Sequence, residues 1–413
     1  MIALVNPVST GAELAAAFEE EGGSCVHVYS AGQRAAHEAD PHPFRLLIDG
    51  PAAVAPAAEQ LSRLGVDTVM AASEYGVTLA DELAELLGTP HHDPARRAAR
   101  RDKYLMIQAL KAAGLPHART VTVTSEPELD KILDDWDDYP LVVKPLDSAG
   151  SDGCTLCPDR DTARAAFRQV TGATNLMGST NNEVVVQQCL NGVQYIVNTV
   201  SMGGRHLLTE LYAERIDRVD NAPMLRHIIS RGSLSGPEQE LVDYVLSCLD
   251  ALGIREGAAH TEVMLTPEGP RLVEVNSRVM GPSLAPDPYH AAFGYSHQHL
   301  TAERVLRPDE FQRRFDLPYA PARTVAKVLL RPHADGVLEA LDGLRVLRRM
   351  PGFHSIARLP VVGEPVRDRY LTTGACGIAY LVHEDAQLLE SVLETLHEIE
   401  DSGDFFRLRP AGD

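Results

Sequence analysis

Two glutamates, an asparagine and an arginine fall into a pattern that can hold a cation. The segment His260-Thr-Glu262-Val-Met-Leu265 alternates like a strand, turns through Thr266-Pro-Glu-Gly-Pro270 and returns as Arg271-Leu-Val-Glu274-Val-Asn276-Ser-Arg278. A hairpin symmetric about Glu268 sets Glu262 opposite Glu274 and His260 opposite Asn276. Cross-strand Cβ atoms lie about 5 Å apart, so two carboxylates placed this way repel unless a cation sits between them. Magnesium suits the set: it takes carboxylates, a neutral amide oxygen such as that of Asn276, and the phosphates of a substrate. Arg278, on the same arm, can reach substrate or phosphate oxygens. The bland alternative is a half-exposed hairpin whose polar residues merely face water.

The lysines point to a phosphate partner for that cation. Only five of the 38 basic residues are lysines, at 103, 111, 131, 144 and 327. Lys144 follows an apolar run and precedes a loop with Ser148, Gly150, Ser151 and Gly153, whose backbone N–H groups can approach phosphate oxygens. The loop matches neither the G-x-x-x-x-G-K-[ST] nor the G-x-G-x-x-G pattern, and read by itself it is equally a plain turn. Glu183-Val-Val-Val-Gln187-Gln188-Cys189-Leu190 ends a strand where backbone amides could pair with a base edge. Glu74 and Tyr75 close an apolar run, a place where parallel strands face ligands, so either could read an amino group. Arg226-His227 suits an α-carboxylate within a stretch, Arg215 to Ser235, that reads as a mobile loop. Surface capping residues and an ordinary polar loop are the competing readings of these two pairs.

Other signals are weaker. Cys154-Thr-Leu-Cys157 lacks a second pair and sits in a strand-like context, so neither a metal nor a redox role is expected. His91-His92 reads as a solvated linker, and Asn6 to Gly11 as the turn that opens the first helix.

These residues need a scaffold larger than one core, and 413 residues suggest two or three domains. A 44% hydrophobic, 23% charged composition is globular, and no apolar run approaches a membrane span. The N-terminus enters Ile2-Ala3-Leu4-Val5 without the basic region of a signal peptide, so a cytoplasmic location is expected. A net charge of -20 disfavours nucleic acid, and six scattered cysteines are expected to be reduced. The first ninety residues alternate short apolar runs with helical patterns, a parallel α/β signature. A helix over Asp102 to Ala113 follows. Then come β-rich runs with one helix near Asp161 to Val170, a strand pair across Asn191-Gly192, a helix from Pro237 to Leu252, and a final α/β unit from about Tyr319. The expected domains are 1–95, 96–315 with a lobe at about 118–188, and 316–413.

The order Lys103, Lys144 with its glycine loop, the Gln187 strand, then the paired glutamates resembles the ATP-grasp superfamily over nearly the whole chain. The motifs V-V-K-P-L-D-S-A-G-S-D-G, H-T-E and E-V-N-S-R-V-M-G most resemble carboxylate-amine ligases of the L-amino acid ligase group. The resemblance implies a mixed α/β and α+β fold: an N-terminal parallel α/β domain, a two-lobed nucleotide-binding core and a C-terminal α/β lobe. It implies ATP and magnesium, or manganese in its place. Lys103 and Lys144 would contact phosphates or base, with Ser148, Gly150 and Ser151 in a lid loop. Gln187, Gln188 and Leu190 would meet the adenine and Gln194 the ribose. Glu262, Glu274 and Asn276 would hold the metal, and Arg278, beside Gly281, the reacting carboxyl.

Many relatives carry glutamate where Gln187 and Gln194 stand, which weakens the carry-over of the base and ribose contacts. Biotin carboxylases follow their arginine with Q-V-E-H, whereas this chain reads Arg278-Val-Met-Gly281, against bicarbonate activation. The implied activity is amide formation between a small carboxylate and an amine through an acyl phosphate, with amino acids as substrates. Neither nucleic acid nor membrane is expected as a partner, and a homodimer is compatible. A ligase acting on a purine precursor and a nucleotide-binding regulator without turnover are the alternatives.

Overall fold

The computed structural model describes residues 1–148, 150–219, 222–282, 285–367 and 375–410. Its N-terminal part is a four-stranded parallel sheet, in the order Arg45–Ile48, Cys25–Ser30, Ile2–Val5, Thr68–Ala71. The alternation of Ile2–Val5 explains why both faces are covered. Ala3 and Val5 face Leu61 and Leu83 in one apolar cluster. Ile2 and Leu4 join Leu14 and Phe18 of the helix Thr10–Glu20, with Ala258 and Val279 beyond, so this face seats the sheet on the rest of the molecule.

A separate antiparallel sheet, Thr120–Val123, Val184–Gln188, Leu141–Pro145 and Thr155–Cys157, forms the lobe that carries Lys144. Two helices cover it, Arg160–Val170 and Glu126–Asp134, around Trp136 and Phe167. The second helix goes beyond the single one expected. Its nine residues offer only Leu129, Ile132 and Leu133 as an apolar stripe, too short to stand out.

The largest sheet has eight strands in the order Gly269–Asn276, Gly257–Thr266, Val193–Met202, Arg205–Val219, Ala222–Ser230, Thr324–Leu330, Gly377–His383, Phe353–Arg358. Three expectations change here. Asn191-Gly192 does not close a hairpin: the strands before and after it belong to different sheets, making it a crossover. The stretch Arg215 to Ser235 is no loop, because Arg205–Val219 and Ala222–Ser230 pair antiparallel over most of their length. The expected C-terminal lobe shares its sheet with the core, since Thr324–Leu330 pairs with Ala222–Ser230, and only a small three-stranded sheet stands apart.

That shared sheet corrects the role expected for Arg226 and His227. The register between the two long strands shifts at Arg215/Ile216, so that Arg215 pairs with His227 and Ile216 with Leu225. Leu225 and Ile228 line the cleft described below, while Arg226 and His227 meet the C-terminal helix Ala386–Asp401. Arg226 is 2% exposed and donates to Glu400 Oε2 at 3.1 Å, Asp401 Oδ1 at 3.0 Å and Asp217 Oδ2 at 2.9 Å. His227 Nδ1 lies 2.7 Å from His397 Nε2, the two rings stacked. Neither reads a substrate carboxylate. Removing one partner of a buried ion cluster strands the other charge, at a cost of about 3–5 kcal/mol. Arg226→Met is therefore expected to lower the urea unfolding midpoint markedly while leaving the substrate KM of the folded enzyme unchanged. A raised KM at unaltered stability would return Arg226 to the site.

Candidate active site

The hairpin pairs Glu262 with Glu274 and His260 with Asn276, as its alternation predicts. It does so with a tighter turn. Thr266 pairs with Gly269, leaving Pro267 and Glu268 as the loop, and a register shift after Glu262 leaves Val273 as the extra residue on the returning strand. A bulge turns consecutive side chains toward one side, and Val273 and Glu274 both line the cleft.

Each carboxylate is tethered. Glu262 Oε2 accepts from Gln194 Nε2 at 3.0 Å, and its Oε1 lies 3.4 Å from His260 Nε2. Glu274 Oε2 lies 3.1 Å from Lys103 Nζ, and its Oε1 accepts from Asn276 Nδ2 at 3.0 Å, which leaves the Asn276 carbonyl oxygen for another partner. A third carboxylate, Glu214 on Arg205–Val219, lines the same cleft. Burial would raise the Glu274 carboxyl, but Lys103, the Asn276 hydrogen bond and Lys144 outweigh it and hold the group below its usual range. Glu214 is pushed well up, by burial first and then by the charges of Glu262 and Glu274. Three acids and an amide oxygen in a cleft where one acid resists ionisation fit a divalent cation. Sequence reasoning missed Glu214. A local mark was present: Leu211 and Ala213 join the main core, while Tyr212, Glu214 and Ile216 share the other face with the buried Glu210, where carboxylates among apolar residues are out of place.

Lys144 is buried and donates to Gln187 Oε1 at 2.8 Å, and Gln187 Nε2 donates to Thr120 Oγ1 at 2.9 Å. Burial lowers the Lys144 ammonium. Lys103 opens the helix Lys103–Ala112, whose end is capped by Asp102 accepting from the Tyr104 and Leu105 amides. From there its Nζ donates to the Ser148 carbonyl at 2.9 Å. In the glycine loop, Ser148 Oγ donates to Asp152 Oδ2 at 2.7 Å, and Arg101 pairs with Asp147. Gly150, Ser151 and Gly153 all have positive φ. Gly153 has a second reason to be glycine, since a Cβ there would meet Pro145 at 3.0 Å.

Beside Lys144, a cavity of about 510 Å³ is lined by Val142, Leu156, Gln187, Gln188, Leu190 and Met264 among others, a size and lining suited to a nucleoside. The Gln188 side chain also donates to Asp138, and Gln194 spans this cavity and the carboxylates. Cys154 forms part of the wall. Cys157 points its thiol at the Thr155 carbonyl, so the pair is not set up as a metal site.

On the other side of the carboxylates a pocket holds Glu74, Tyr75, His260, Arg278, Gly281 and Lys327. Glu74 does not present a free acceptor there. Its Oε2 accepts from Arg278 Nε at 2.5 Å, and Arg101 pairs with the same carboxylate, so Glu74 positions Arg278. Tyr75 stands exposed at the mouth, its backbone carbonyl held by Asn6 Nδ2 at 2.8 Å. Gly281 admits Thr10, whose Oγ1 would lie 3.3 Å from a Cβ. Lys327, noted in the sequence only as a scarce lysine, is buried here and pulled down to about 7 by burial.

Residues 137–287 match the ATP-grasp domain family. Dapdiamide A synthase of Enterobacter agglomerans is 27% identical, aligned over 99% of this chain and 97% of that protein. The crystal structure of L-amino acid ligase from Bacillus licheniformis superposes with a TM-score of 0.76 at 19% identity, covering 100% of this chain and 98% of that one. N5-carboxyaminoimidazole synthase from Aspergillus clavatus, in complex with ADP and its ribonucleotide, gives 0.68 at 14% identity over 97% and 98%. With the lysines, glycine loop and acidic hairpin facing one cleft, the chain carries an ATP-grasp domain over residues 137–287 and is an ADP-forming ligase of C–N bonds. Over nearly its whole length the chain is similar to dapdiamide A synthase, and it shares the fold of the L-amino acid ligase.

Replacing Lys144 with methionine keeps the stem and removes the charged hydrogen bond, an interaction worth about 1.5–3 kcal/mol. Affinity for a non-hydrolysable ATP analogue, measured by calorimetry, is expected to fall roughly 10- to 150-fold by the same figure. Unchanged affinity would place the phosphates elsewhere.

Proposed function

We propose that the chain activates the carboxylate of an amino acid with ATP and joins it to the amine of a second amino acid, forming a dipeptide or amino-acid conjugate. One observation carries the reading. Glu214, Glu262 and Glu274 line both the phosphate side of the cleft, with Lys103 and Lys144, and the pocket of Arg278. A terminal phosphate and a carboxylate could therefore meet at the same acids. The alignment over nearly the whole length of dapdiamide A synthase supports peptide-like products over a purine precursor.

Magnesium, held by Glu262, Glu274 and Asn276 and adjoined by Glu214, would supply positive charge to the phosphoryl oxygens. Gln187, Gln188, Leu190 and Gln194 bind the nucleoside, and Lys103 and Lys144 orient the phosphates with the amides of Ser148, Gly150 and Ser151. The substrate carboxylate attacks the γ-phosphorus, the bond to the ADP oxygen breaks, and an acyl phosphate forms. The amine then attacks the acyl carbon, and phosphate departs. Arg278, fixed by Glu74, stabilises the oxyanion of that step, a contribution on the order of 3 kcal/mol. Gly150 lines both parts of the cleft, so closure of its loop would exclude water from the acyl phosphate. Tyr75 and Gly281 border the space left for the side chains.

Incubation with ATP, magnesium and an amino-acid panel is expected to yield ADP, phosphate and a product heavier than either substrate. AMP release would reject the acyl phosphate route. Glu274→Gln should cut turnover by about 10²-fold or more with circular dichroism unchanged, a loss of the size seen when one preorganised electrostatic contact is removed. Full activity in that variant would take Glu274 out of the site.

A further inference from the structure

The N-terminal sheet carries a second set of ligating side chains that the ligase chemistry does not use. Glu19 lies near the end of the helix Thr10–Glu20, His27 in the strand Cys25–Ser30, and His42 just before the strand Arg45–Ile48. One ligand atom from each lies within 4.8 Å of the others. His27 is only 7% exposed, and its Nε2 is buried without a hydrogen-bond partner.

Both rings are oriented through the opposite nitrogen. His27 Nδ1 lies 2.7 Å from Asp40 Oδ2, and the shorter contact of His42 Nδ1 is with the Phe44 carbonyl at 2.9 Å, the Phe44 amide being at 3.2 Å. The Asp40 carboxylate calls for an N–H on His27 Nδ1, which leaves the lone pair on its Nε2; His42 Nδ1 meets both a carbonyl and an amide N–H, and its Nε2 offers a lone pair in the tautomer that donates to the Phe44 carbonyl. Metal-binding histidines are held in this way, the second nitrogen donating to a carboxylate or a backbone carbonyl. Asp40 is itself fixed: its Oδ2 accepts from Tyr29 Oη at 2.7 Å and its Oδ1 from the His42 amide at 2.9 Å. One carboxylate thus positions both histidines. The rings stack with centroids 4.0 Å apart and planes 18° apart, which disfavours two imidazolium charges and means that an ion held by both Nε2 atoms turns the partly exposed His42 ring out of the stack, while burial lowers His27. Glu19 Oε1 lies 3.5 Å from His42 Nε2 on a half-exposed side chain free to adjust.

We propose that Glu19, His27 and His42 bind a zinc-class divalent ion through both Nε2 atoms and a carboxylate oxygen, with solvent completing a tetrahedron. Two imidazoles and one carboxylate suit zinc, whereas magnesium prefers an all-oxygen set, so the two ions sort between this cluster and the cleft by chemistry. The helix that supplies Glu19 starts at Thr10, against Gly281 in the Arg278 pocket, so an ion here would fix its far end.

The test is equilibrium dialysis of the full chain against zinc in a large excess of magnesium, which saturates the cleft. One zinc per chain should remain, and it should be lost in the double variant Glu19→Gln, His42→Gln, both partly exposed positions. Asp40→Asn should weaken zinc affinity about 10- to 100-fold, the usual effect of removing the group behind a ligating histidine. Zinc should also raise the melting temperature of the unaltered chain and not that of the double variant. Failure to retain zinc against magnesium, or equal retention by the unaltered chain and the double variant, would overturn the proposal.

Discussion

Mutual repulsion among Glu214, Glu262 and Glu274 is the constraint on which the cleft depends. Glu262 and Glu274 on paired strands, with Glu214 on the same sheet beyond the intervening strand Val193–Met202, are tolerable only if something positive lies among them, and Lys103 at 3.1 Å from Glu274 supplies part of it. The uncompensated remainder adds to burial at Glu214, which resists ionisation first because it is buried and then because its neighbours already carry charge. An arrangement that costs folding energy while empty is one that a cation stabilises when it arrives. Lys144 carries a matching tension from the opposite side, its ammonium lowered by burial and steadied by a single amide oxygen. Acids in need of cations face lysines in need of anions, and a metal–polyphosphate satisfies both.

Register gives the sheet its two faces of function. At the Val273 bulge the strand uses one extra residue to keep Glu262 opposite Glu274 while closing on a two-residue turn. At Arg226 a second shift keeps Leu225 and Ile228 toward the cleft and gives Arg226 and His227 to the C-terminal helix. The same strand pair therefore floors the active site and clamps the chain's end.

What the sequence made legible follows from the range of the interactions involved. Alternation within one hairpin is local, so the spacing of Glu262, Glu274 and Asn276 along the chain is enough to pair them. Lys144 and its loop were legible because glycine at Gly150 and Gly153 meets a backbone requirement that leaves a mark in the sequence. Glu214 left only its place in the alternation of its strand and Lys327 left nothing, because what sets both apart is the burial and charge supplied by strands distant in the chain. Arg226-His227 misled for the same reason: a guanidinium in a polar stretch suits a substrate carboxylate or Glu400 equally well, and only the fold supplies Glu400. Asn191-Gly192 carried a true turn signal, but a turn does not say whether the next strand returns to its own sheet or enters another.

Arg278 shows how the three parts of the molecule converge on one guanidinium. It leaves the end of the acidic hairpin in the core sheet, and its Nε meets Glu74 from the N-terminal sheet. Glu74 also holds Arg101, which in turn pairs with Asp147 at the base of the glycine loop in the lobe. Burial disfavours the charged form of Arg278, the Glu274 and Glu262 carboxylates offset part of that cost, and Glu74 aims the group. Any movement of the loop that shifts Asp147 is felt by Arg101, and through Glu74 by Arg278. In the proposed mechanism, closing the lid and setting the arginine would be parts of one adjustment, which would tie the exclusion of water to the arrival of positive charge at the carbonyl.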